Sequence, residues 1–423
     1  MIGPGTLERL LAASPFNVVR LILPARSITS GELSAWDAGQ IAAARLLDWL
    51  TVGALAADAA PALYVYEQRG ADWVQRGLIG LVELGTGAVL PHEGVMPGPV
   101  AGRRELMKAT RSNLEPILLV YGNAGGGGDG GPAGVAEASG HVDEDGAAGA
   151  SAAGVTSRLV DLAAASREPL ACTVTDDGIT HRLWALTDPA EQAAIEADLA
   201  TRTALIADGH HRYAAYEQLR AELHDAGEGA GPWDYGLAFL VDADVYPLRL
   251  GPIHRVLPRL DPSQAALLAA GGFAVTELLD ADLDVALGAL ARAGARGTAF
   301  LLAGAGRYWL LSSPDAERVA AAMSAGTSAR WQALDASVMQ EFLMADLWSI
   351  KDDEHEVLIS HDAAEAVRMA ADAGGTAVIC NPMSLAAVMD IAAHGEKVPR
   401  KSTSFGPKPR TGLVLRRFEA SGG

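Results

Sequence analysis

The chain has 423 residues, of which 49% are hydrophobic and 20% are charged, and this composition excludes a disordered or fibrous protein. At roughly 150 residues per domain, the length predicts two or three domains. Acidic side chains number 52 against 33 basic ones, and the resulting formal charge of -19 disfavours general binding to nucleic acid because it repels phosphate.

The N-terminal third is predicted to mix helices and strands. Residues 7–24 have a short helical pattern, a turn at Ser14 and Pro15, and then an apolar run that is typical of a buried strand and ends at Pro24. Apolar residues recur at helical spacing over 30–52. Two predicted strands and a predicted amphipathic helix follow: PALYVYEQ (61–68), RGLIGLVEL (76–84) and RRELMKATRSNL (103–114).

Residues 122–155 are predicted to be a flexible Gly-rich insertion. The segment has almost no large apolar side chain that would offset the entropy of ordering it, so we expect it to be dispensable for folding. It matches the GxGxxG pattern of dinucleotide-binding turns, but no strand leads into the match, and that interpretation is rejected. A hairpin is predicted next, over CTVTDDGITHRLWAL (172–186), with its turn at Asp177 and Gly178.

The segment TALIADGHHRYAAYEQLRAEL (203–223) is predicted to be a strand, a tight turn at Asp208 and Gly209, and an amphipathic helix from His210. Such a turn presents unpaired backbone N–H groups and the positive end of a helix dipole, while the glycine permits close approach and Arg212 adds donors. The pattern therefore predicts a phosphate-binding turn. The alternative is a capped helix whose histidines and arginine make only local contacts. Neighbouring helical residues point about 100° apart, so one histidine is expected to contact ligand and the other to pack or orient.

Residues 1–260 are predicted to form a core α+β domain, and residues 261–395 a second α+β domain. The second domain combines helical patterns with a strand pair over 298–311 and the strand TAVICNP (376–382). The last segment, 396–423, is basic in contrast to the acidic whole. We expect it to return to the cleft of the core domain; a basic surface tail is the alternative. The predicted fold class is α+β, with mixed sheets and packed helices.

The chemistry of several other protein classes is missing from the sequence. Cys172 and Cys380 lack CxxC spacing and suggest a reducing compartment. Apolar runs stay below the roughly 18 residues of a membrane span, and the first residues have no export signal, so we expect a cytoplasmic protein with no membrane partner. HExxH, GxSxG and paired CxxC motifs do not occur, which argues against a zinc protease, a serine hydrolase and a zinc ribbon.

Several segments of the chain together carry a family resemblance. They are ALYVYEQ (62–68), LPHEGVMPGP (90–99), KATRSNLEPI (108–117), HRLWALTDP (181–189), IADGHHRYAAY (206–216) and KSTSFGPKPRTGLV (401–414). In this order they resemble a bacterial family known only as domain of unknown function one thousand and fifteen. Members usually begin with a segment that ends in a Pro-Pro-Tyr-Asp-Val-Ile-like run, whereas this chain starts as if inside that run. Ser404 and Gly406 also stand where aromatic residues are common.

The turn from Asp208 to Arg212 locally resembles the phosphate-binding turn of the ParB and sulfiredoxin superfamily, which includes nucleotide-binding partition proteins and free-serine kinases. This resemblance implies a ParB/sulfiredoxin-like phosphate-binding core and a glutamate, upstream of the turn, as base on the substrate hydroxyl. Glu93, just after a predicted strand, is the first candidate, and Glu67 is the second. We expect the Glu93 carboxylate within roughly 10 Å of the turn, with room for phosphate and acceptor between them.

Phosphoryl transfer requires removal of the acceptor's hydroxyl proton and positive charge that offsets the developing negative charge. Arg212 with Lys401 would form the positive clamp, and an Asp208 oxygen is a candidate contact for Mg²⁺. The predicted catalytic residues are Glu93, Asp208 and His210. The predicted phosphate-binding residues are Gly209, His211, Arg212, Lys401, Ser402, Thr403 and Lys408. The predicted substrate-binding residues are His92, Arg111, Asn113 and His254, for which buried caps or structural histidines are the alternatives.

These residues and resemblances predict a small-molecule phosphotransferase. The implied activity is a kinase of serine or a similar hydroxyl compound that uses a nucleotide or pyrophosphate. The alternative is a non-catalytic nucleotide- or phosphate-binding regulatory module. The predicted partner is a small phosphate ligand in either case, and the oligomeric state is open. An Arg212→Ala exchange is expected to abolish the response to phosphate ligands and to leave the fold intact, on the premise that the arginine is exposed.

Overall fold

The fold is that of a computed structural model, which describes residues 4–24, 34–122, 154–351 and 356–418. The predicted Gly-rich insertion lies outside the described residues except at its two ends. Its flexibility and its dispensability therefore stay predictions.

The described chain divides into two compact units. The first takes the chain up to Leu248 and again from Pro407, and the second takes Arg249–Gly406. The predicted boundaries after residues 260 and 395 differ from this division, because two short strands, Arg249–Gly251 and Ser404–Gly406, pair and tie together the ends of the second unit. The basic C-terminal segment is consequently split, and only its part from Pro407 joins the first unit.

The first unit contains helices and strands in alternation. Its helices are α1 (Pro4–Ala13), α2 (Val19–Ile22), α3 (Ala35–Thr51), α4 (Pro97–Thr110), α5 (Val155–Ser166), α6 (Pro189–Leu199) and α7 (His210–Asp225), with a 3-10 turn at Pro232–Asp234. Its strands are β1 (Leu63–Arg69), β2 (Val74–Glu83), β3 (Val89–Leu90), β4 (Ser112–Asn113), β5 (Ile117–Tyr121), β6 (Ala171–Val174), β7 (Thr180–Leu186), β8 (Ala204–Asp208) and β9 (Tyr235–Asp242).

The main sheet of the first unit is mixed. Its strand order is β3-β8-β5-β9-β2-β1-β7-β6, in which β3/β8 and β5/β9 are parallel pairs and the other neighbours are antiparallel. A bulge interrupts the β5/β8 pair: Ile206 opposes Leu119, whereas the next paired residue of β8 is Asp208, opposite Leu118. Two residues of β8 thus oppose one of β5, which bends the strand immediately before the turn.

Helices cover this sheet through two apolar clusters. Helices α4 and α7 pack on β5, β8 and β9, where Ala215 and Leu219 of α7 meet fully buried Ile117 and Ile206. Helices α5 and α6 pack on β1, β2 and β7 around Trp184. The apolar residues of α7 recur at the three- to four-residue spacing that puts them on one face. Because this face packs on the sheet, the N-terminus of the helix lies at the end of β8.

The apolar run before Pro24 is helical rather than extended, so the predicted buried strand is wrong. Asn17 starts the turn, because its side-chain oxygen accepts from the backbone N–H of Val19 at 3.1 Å. Val19 and Leu21 are buried, and Leu21 packs with α3 in a small cluster. A short apolar run does not distinguish a buried strand from a buried helical turn, and here the contact of the Asn17 side chain with the backbone of Val19 favours the turn.

The second unit is built on an antiparallel sheet with the order β12-β14-β13-β16-β11-β15. Its strands are β10 (Arg249–Gly251), β11 (His254–Leu257), β12 (Ala274–Glu277), β13 (Ala299–Gly304), β14 (Arg307–Ser312), β15 (Leu358–Ser360), β16 (Thr376–Cys380) and β17 (Ser404–Gly406). Its helices are α8 (Pro262–Ala269), α9 (Leu283–Gly294), α10 (Ala316–Ala322), α11 (Ala329–Gln332), α12 (Asp335–Ser337), the π-helix Val338–Leu347, α13 (Ala363–Ala373) and α14 (Leu385–Ala393). The predicted strand pair over 298–311 and the strand TAVICNP are confirmed.

The architecture belongs to the α+β class, as predicted. A last strand, β18 (Arg416–Arg417), pairs with β4 in the first unit and brings the C-terminal segment back to it. Within the four described stretches, every helix is either too short or too polar to cross a membrane.

Candidate functional site

The predicted strand, turn and helix around Gly209 are confirmed. Strand β8 ends at Asp208, Gly209 takes the left-handed conformation with φ of 103°, and α7 begins at His210. The first bond within the helix runs from Tyr213 N to Gly209 O at 2.9 Å. The amides of the first turn point along the helix axis without intrahelical acceptors, and the helix dipole adds positive potential there. This geometry favours an anion at the turn.

Two cations meet one carboxylate at the turn. Arg212 Nη2 lies 2.5 Å from Asp208 Oδ2, and Lys408 Nζ lies 2.7 Å from Asp208 Oδ1. Arg212 also donates to the carbonyl oxygen of Pro116. Lys408 comes from the C-terminal segment, so the part of that segment that joins the first unit contacts the turn. The three side chains leave a net positive charge beside the start of α7.

The premise of an exposed Arg212 needs correction. Its side chain is only 17% exposed, and it bridges Asp208 to Pro116 O. Its removal would leave a carboxylate and a carbonyl oxygen without their donor. An Arg212→Ala variant is therefore expected to lose stability as well as ligand response.

Glu93 lies directly at this turn. Its Oε2 is 3.6 Å from His210 Nδ1, and its Oε1 is 4.0 Å from His92 Nε2. The two histidines are buried, and their rings meet edge to face with centroids 4.6 Å apart. The structure thus brings Glu93, His92 and His210 together, within the roughly 10 Å expected from the need to hold a base beside a phosphate.

Hydrogen bonding determines which ring nitrogen of a neutral His210 carries the proton. The backbone N–H of His92 donates to His210 Nε2 at 3.4 Å, so a neutral His210 carries its proton on Nδ1, toward Glu93. Burial lowers the pKa of His92 to about 4, so this imidazole is uncharged at neutral pH. His92 therefore does not neutralise the Glu93 carboxylate, which lies 4.0 Å from its Nε2.

The two adjacent histidines have different partners, as their helical directions require. His211 Nε2 accepts from the backbone N–H of Met96 at 3.1 Å, which ties the loop after Glu93 to the start of α7. His210 instead contacts Glu93 and the backbone of His92.

Glu67, the second candidate base, is the centre of an arginine cluster. Its buried carboxylate lies 2.5 Å from Arg76 and within 3.2 Å of Arg69 and Arg182. Burial acts to raise its pKa, but the hydrogen bonds from Arg76 and Arg69 outweigh burial and lower the pKa of Glu67. A carboxylate stabilised in this way is a weak base, so Glu93 is the better candidate.

Arg111 and Asn113 make contacts that belong to the fold. Arg111 ends α4 with φ of 44°, and its carbonyl oxygen accepts from Phe418 N at 2.7 Å. Asn113 is buried, and its Oδ1 accepts from Arg416 at 3.3 Å. Both residues therefore hold the C-terminal strand β18, and a role for them in substrate binding stays a prediction.

Four further predicted site residues belong to the second unit. Buried Arg255 donates to Lys401 O at 2.9 Å, and Ser402 Oγ donates to Pro399 O at 2.6 Å. Thr403 is also buried. His254 Nδ1 accepts from the backbone N–H of Cys380 at 3.2 Å, and burial lowers its pKa to about 4. Their predicted ligand contacts stay predictions.

The predicted Mg²⁺ contact at Asp208 has little support from its surroundings. Both carboxylate oxygens of Asp208 are engaged by cationic side chains. In the part of the chain that the structure describes, no group of three or more His, Cys, Asp or Glu side chains is arranged to hold a metal ion. The residues at the turn do not by themselves form a site for Mg²⁺, which prefers several oxygen ligands.

Pro116 is a contact of Arg212 that sequence reasoning missed. The residue stands in the segment KATRSNLEPI, of which only Arg111 and Asn113 were predicted to bind substrate. Its contribution is a backbone carbonyl, and a carbonyl contact leaves no signature in side-chain chemistry.

Comparison with solved structures finds similar chains at low identity. A free serine kinase in complex with AMP has 13% identity and a TM-score of 0.36, with 78% of this chain and 87% of that chain covered. A conserved hypothetical protein from Pyrococcus furiosus has 13% identity and a TM-score of 0.34, with 78% and 90% covered. SbnI with a C-terminal truncation, from Staphylococcus aureus, has 10% identity and a TM-score of 0.35, with 78% and 84% covered. Likeness at this level carries no argument about function.

Comparison by sequence is more decisive. No curated protein matches the chain. A family described as Protein of unknown function (DUF1015) matches residues 1–127 and 150–337, which is more than half of the chain and in accord with the predicted resemblance. The chain therefore belongs to this family.

Proposed function

We propose that the first unit binds a phosphate-bearing ligand at the start of α7 and transfers a phosphoryl group to a small hydroxyl compound. The donor would be a nucleotide or pyrophosphate, and the acceptor would be serine or a similar alcohol. Glu93 serves as general base, and Arg212, Lys408 and the first amides of α7 hold the phosphate oxygens.

The observation that carries this proposal is the 3.6 Å distance between Glu93 Oε2 and His210 Nδ1. It puts a carboxylate beside the first residue of a helix whose N-terminus, together with Arg212 and Lys408, favours an anion. Phosphoryl transfer requires positioning, positive charge and a base, and these three elements occur at one turn.

The reaction assigns each group one task. Glu93 accepts the proton of the acceptor hydroxyl as its oxygen bonds to phosphorus and the bond to the leaving phosphate breaks. Arg212 and Lys408 turn from Asp208 toward the phosphate oxygens and offset their charge. His210 orients the carboxylate through Nδ1. No step is assigned to Mg²⁺, because the turn does not present its ligands.

A screen of donors against hydroxyl acceptors, followed by phosphorus NMR, tests the proposal. Wild-type protein should convert one pair, and Glu93→Gln should keep donor binding yet lose turnover by roughly 10²- to 10⁴-fold, as expected when a general base is absent. Glu228→Gln, at an exposed loop glutamate, is the matched control and should turn over normally. Normal turnover by Glu93→Gln would reject Glu93 as the base.

A non-catalytic phosphate-binding module is the second candidate. The contacts of Asp208 with both cations favour this module. A bound phosphate need only replace the Asp208 carboxylate as the partner of Arg212 and Lys408, without any chemical step. Ligand-induced thermal shifts without turnover of any donor would favour this module over the enzyme.

A further inference from the structure

One backbone carbonyl contacts the nitrogen of the Arg212 guanidinium that does not face Asp208. Its Nη1 donates to Pro116 O, while its Nη2 faces Asp208. The planar guanidinium has fixed donor directions, so the position of this carbonyl determines how the rest of the group faces the turn.

Tyr216 anchors the neighbouring carbonyl. It lies four residues after Arg212 on α7, hence on the same face of the helix. Its hydroxyl is 3.0 Å from Glu115 O and 3.3 Å from Leu237 O. Burial raises the pKa of Tyr216, so the hydroxyl keeps its proton and remains a donor at neutral pH.

The two carbonyls belong to consecutive residues of restricted geometry. The ring of Pro116 fixes its φ, and a residue before proline, here Glu115, is confined to extended conformations. The Glu115 side chain is held as well, 2.5 Å from Arg103 of α4. Anchoring the carbonyl of Glu115 therefore holds in place the peptide that precedes the Pro116 carbonyl, which accepts from Arg212.

A small cavity lies beside this contact, between α4 and α7. Its volume of about 20 Å³ has room for about one water, and Arg212 and Tyr216 line it together with Leu106 and Met107. The space is too small for the arginine side chain to rotate into, so packing on this side also keeps Arg212 in place.

We propose that Tyr216 and the Glu115–Pro116 step form a positioning element that holds Arg212 toward the phosphate-binding turn. The identity of the ligand rests on the proposed function, whereas the positioning of Arg212 does not. Tyr216 acts through Arg212 and does not touch the ligand.

The test observes Arg212 directly in the full chain by NMR of ¹⁵N-labelled arginine side chains. The Nη–H signals of Arg212 are assigned by their loss in Arg212→Lys. In Tyr216→Phe, hydrogen exchange of the Nη1–H group that donates to Pro116 O should accelerate by about tenfold, as expected when that hydrogen bond is weakened. Affinity for inorganic pyrophosphate, measured by calorimetry, should fall by a similar factor.

Tyr213→Phe is the matched control, since it removes a hydroxyl from the same helix three residues away. Its Arg212 signal should equal that of wild type. An unchanged signal in a folded Tyr216→Phe, or equal changes in both variants, would overturn the positioning element.

If Tyr216→Phe does not fold, Pro116→Ala, which releases the fixed φ but keeps the carbonyl, must show the same direction of change. If wild-type protein does not bind pyrophosphate but the NMR result is as expected, the proposed function is rejected and the positioning element is kept.

Discussion

Gly209 meets two separate demands at the start of α7. Its φ of 103° is unfavourable for residues with a side chain. An added Cβ would also lie 3.0 Å from Ile117 Cγ2 and 3.1 Å from the Arg212 guanidinium. We predict that Gly209→Ala lowers the free energy of unfolding by roughly 1–3 kcal/mol, measured by urea denaturation, because strain and crowding add.

Gly227→Ala separates the two causes. That glycine has φ of 84°, and a Cβ there would meet no atom within 4 Å among the described residues. The control variant should lose less stability than Gly209→Ala. Equal losses would mean that backbone strain explains the whole effect and that Arg212 is not crowded.

At this scale, the residue types of the site were predictable but their contacts were not. The Asp-Gly-His-His-Arg run predicts a turn with donors, and the local resemblance of that turn led to Glu93, which lies 3.6 Å from His210. The engagement of Asp208 by two cations depends on Lys408, which is about 200 residues distant in sequence. Only folding shows that such a pair meets.

The C-terminal segment of the first unit is held by its last described residue. Phe418 is 6% exposed and joins the apolar cluster of α4 and α7, and its backbone N–H bonds to Arg111. We predict that Phe418→Ala costs roughly 3–5 kcal/mol of unfolding free energy, the usual loss for a buried phenylalanine, as measured by chemical denaturation.

Phe16→Ala is the comparison for that variant, because Phe16 is 47% exposed. It should cost less than about 1 kcal/mol. A cost for Phe418→Ala as small as that of Phe16→Ala would contradict a structural role for the C-terminal segment.

Elements with strong periodicity or clear turn chemistry were predictable from sequence. Strand β8, the glycine turn and α7 are confirmed because a glycine interrupts two different apolar periods. The prediction for the run before Pro24 failed because its five apolar residues over 18–23 have no periodicity, and the deciding contact is that of the Asn17 side chain with the backbone of Val19. The bulge that sets the direction of Asp208 has no sequence signature of its own.

Each unit contains a buried histidine whose pKa is strongly lowered, His92 in the first and His254 in the second. Burial lowers both pKa values from 6.5 to about 4. As pH falls below 6.5 the unfolded chain binds these protons first, so the stability that these two histidines confer is complete above that pH and declines between 6.5 and 4. We predict that each of the two histidines lowers the free energy of unfolding by about 2 kcal/mol between pH 7 and pH 5, measured by urea unfolding.

His92→Gln and His254→Gln should each remove the corresponding part of this pH dependence. His224→Gln, at an exposed histidine, should keep it. A pH profile that stays the same in the two buried-site variants would show that these histidines titrate normally.

For the whole molecule, the apolar patterns predicted the α+β class and the chain length predicted more than one domain, but neither predicted the path of the chain. The boundary prediction relied on local composition around residue 260, whereas the observed boundary depends on pairing between β10 and β17, more than 150 residues apart. Pairing between distant strands is a property of the folded chain that no local window contains.

The division of the first unit between two stretches of chain has a consequence for protein synthesis. Asp208 and Arg212 emerge from the ribosome about 200 residues before Lys408. At the usual elongation rates of about 5–20 residues per second, the turn waits roughly 10 to 40 s for its second cation. During that time the second unit is made in full, and the Asp208 carboxylate has only Arg212 to pair with. The turn thus gains its second cation only after the second unit has been made, so a nascent chain stalled before Lys408 carries the turn without its complete cation pair.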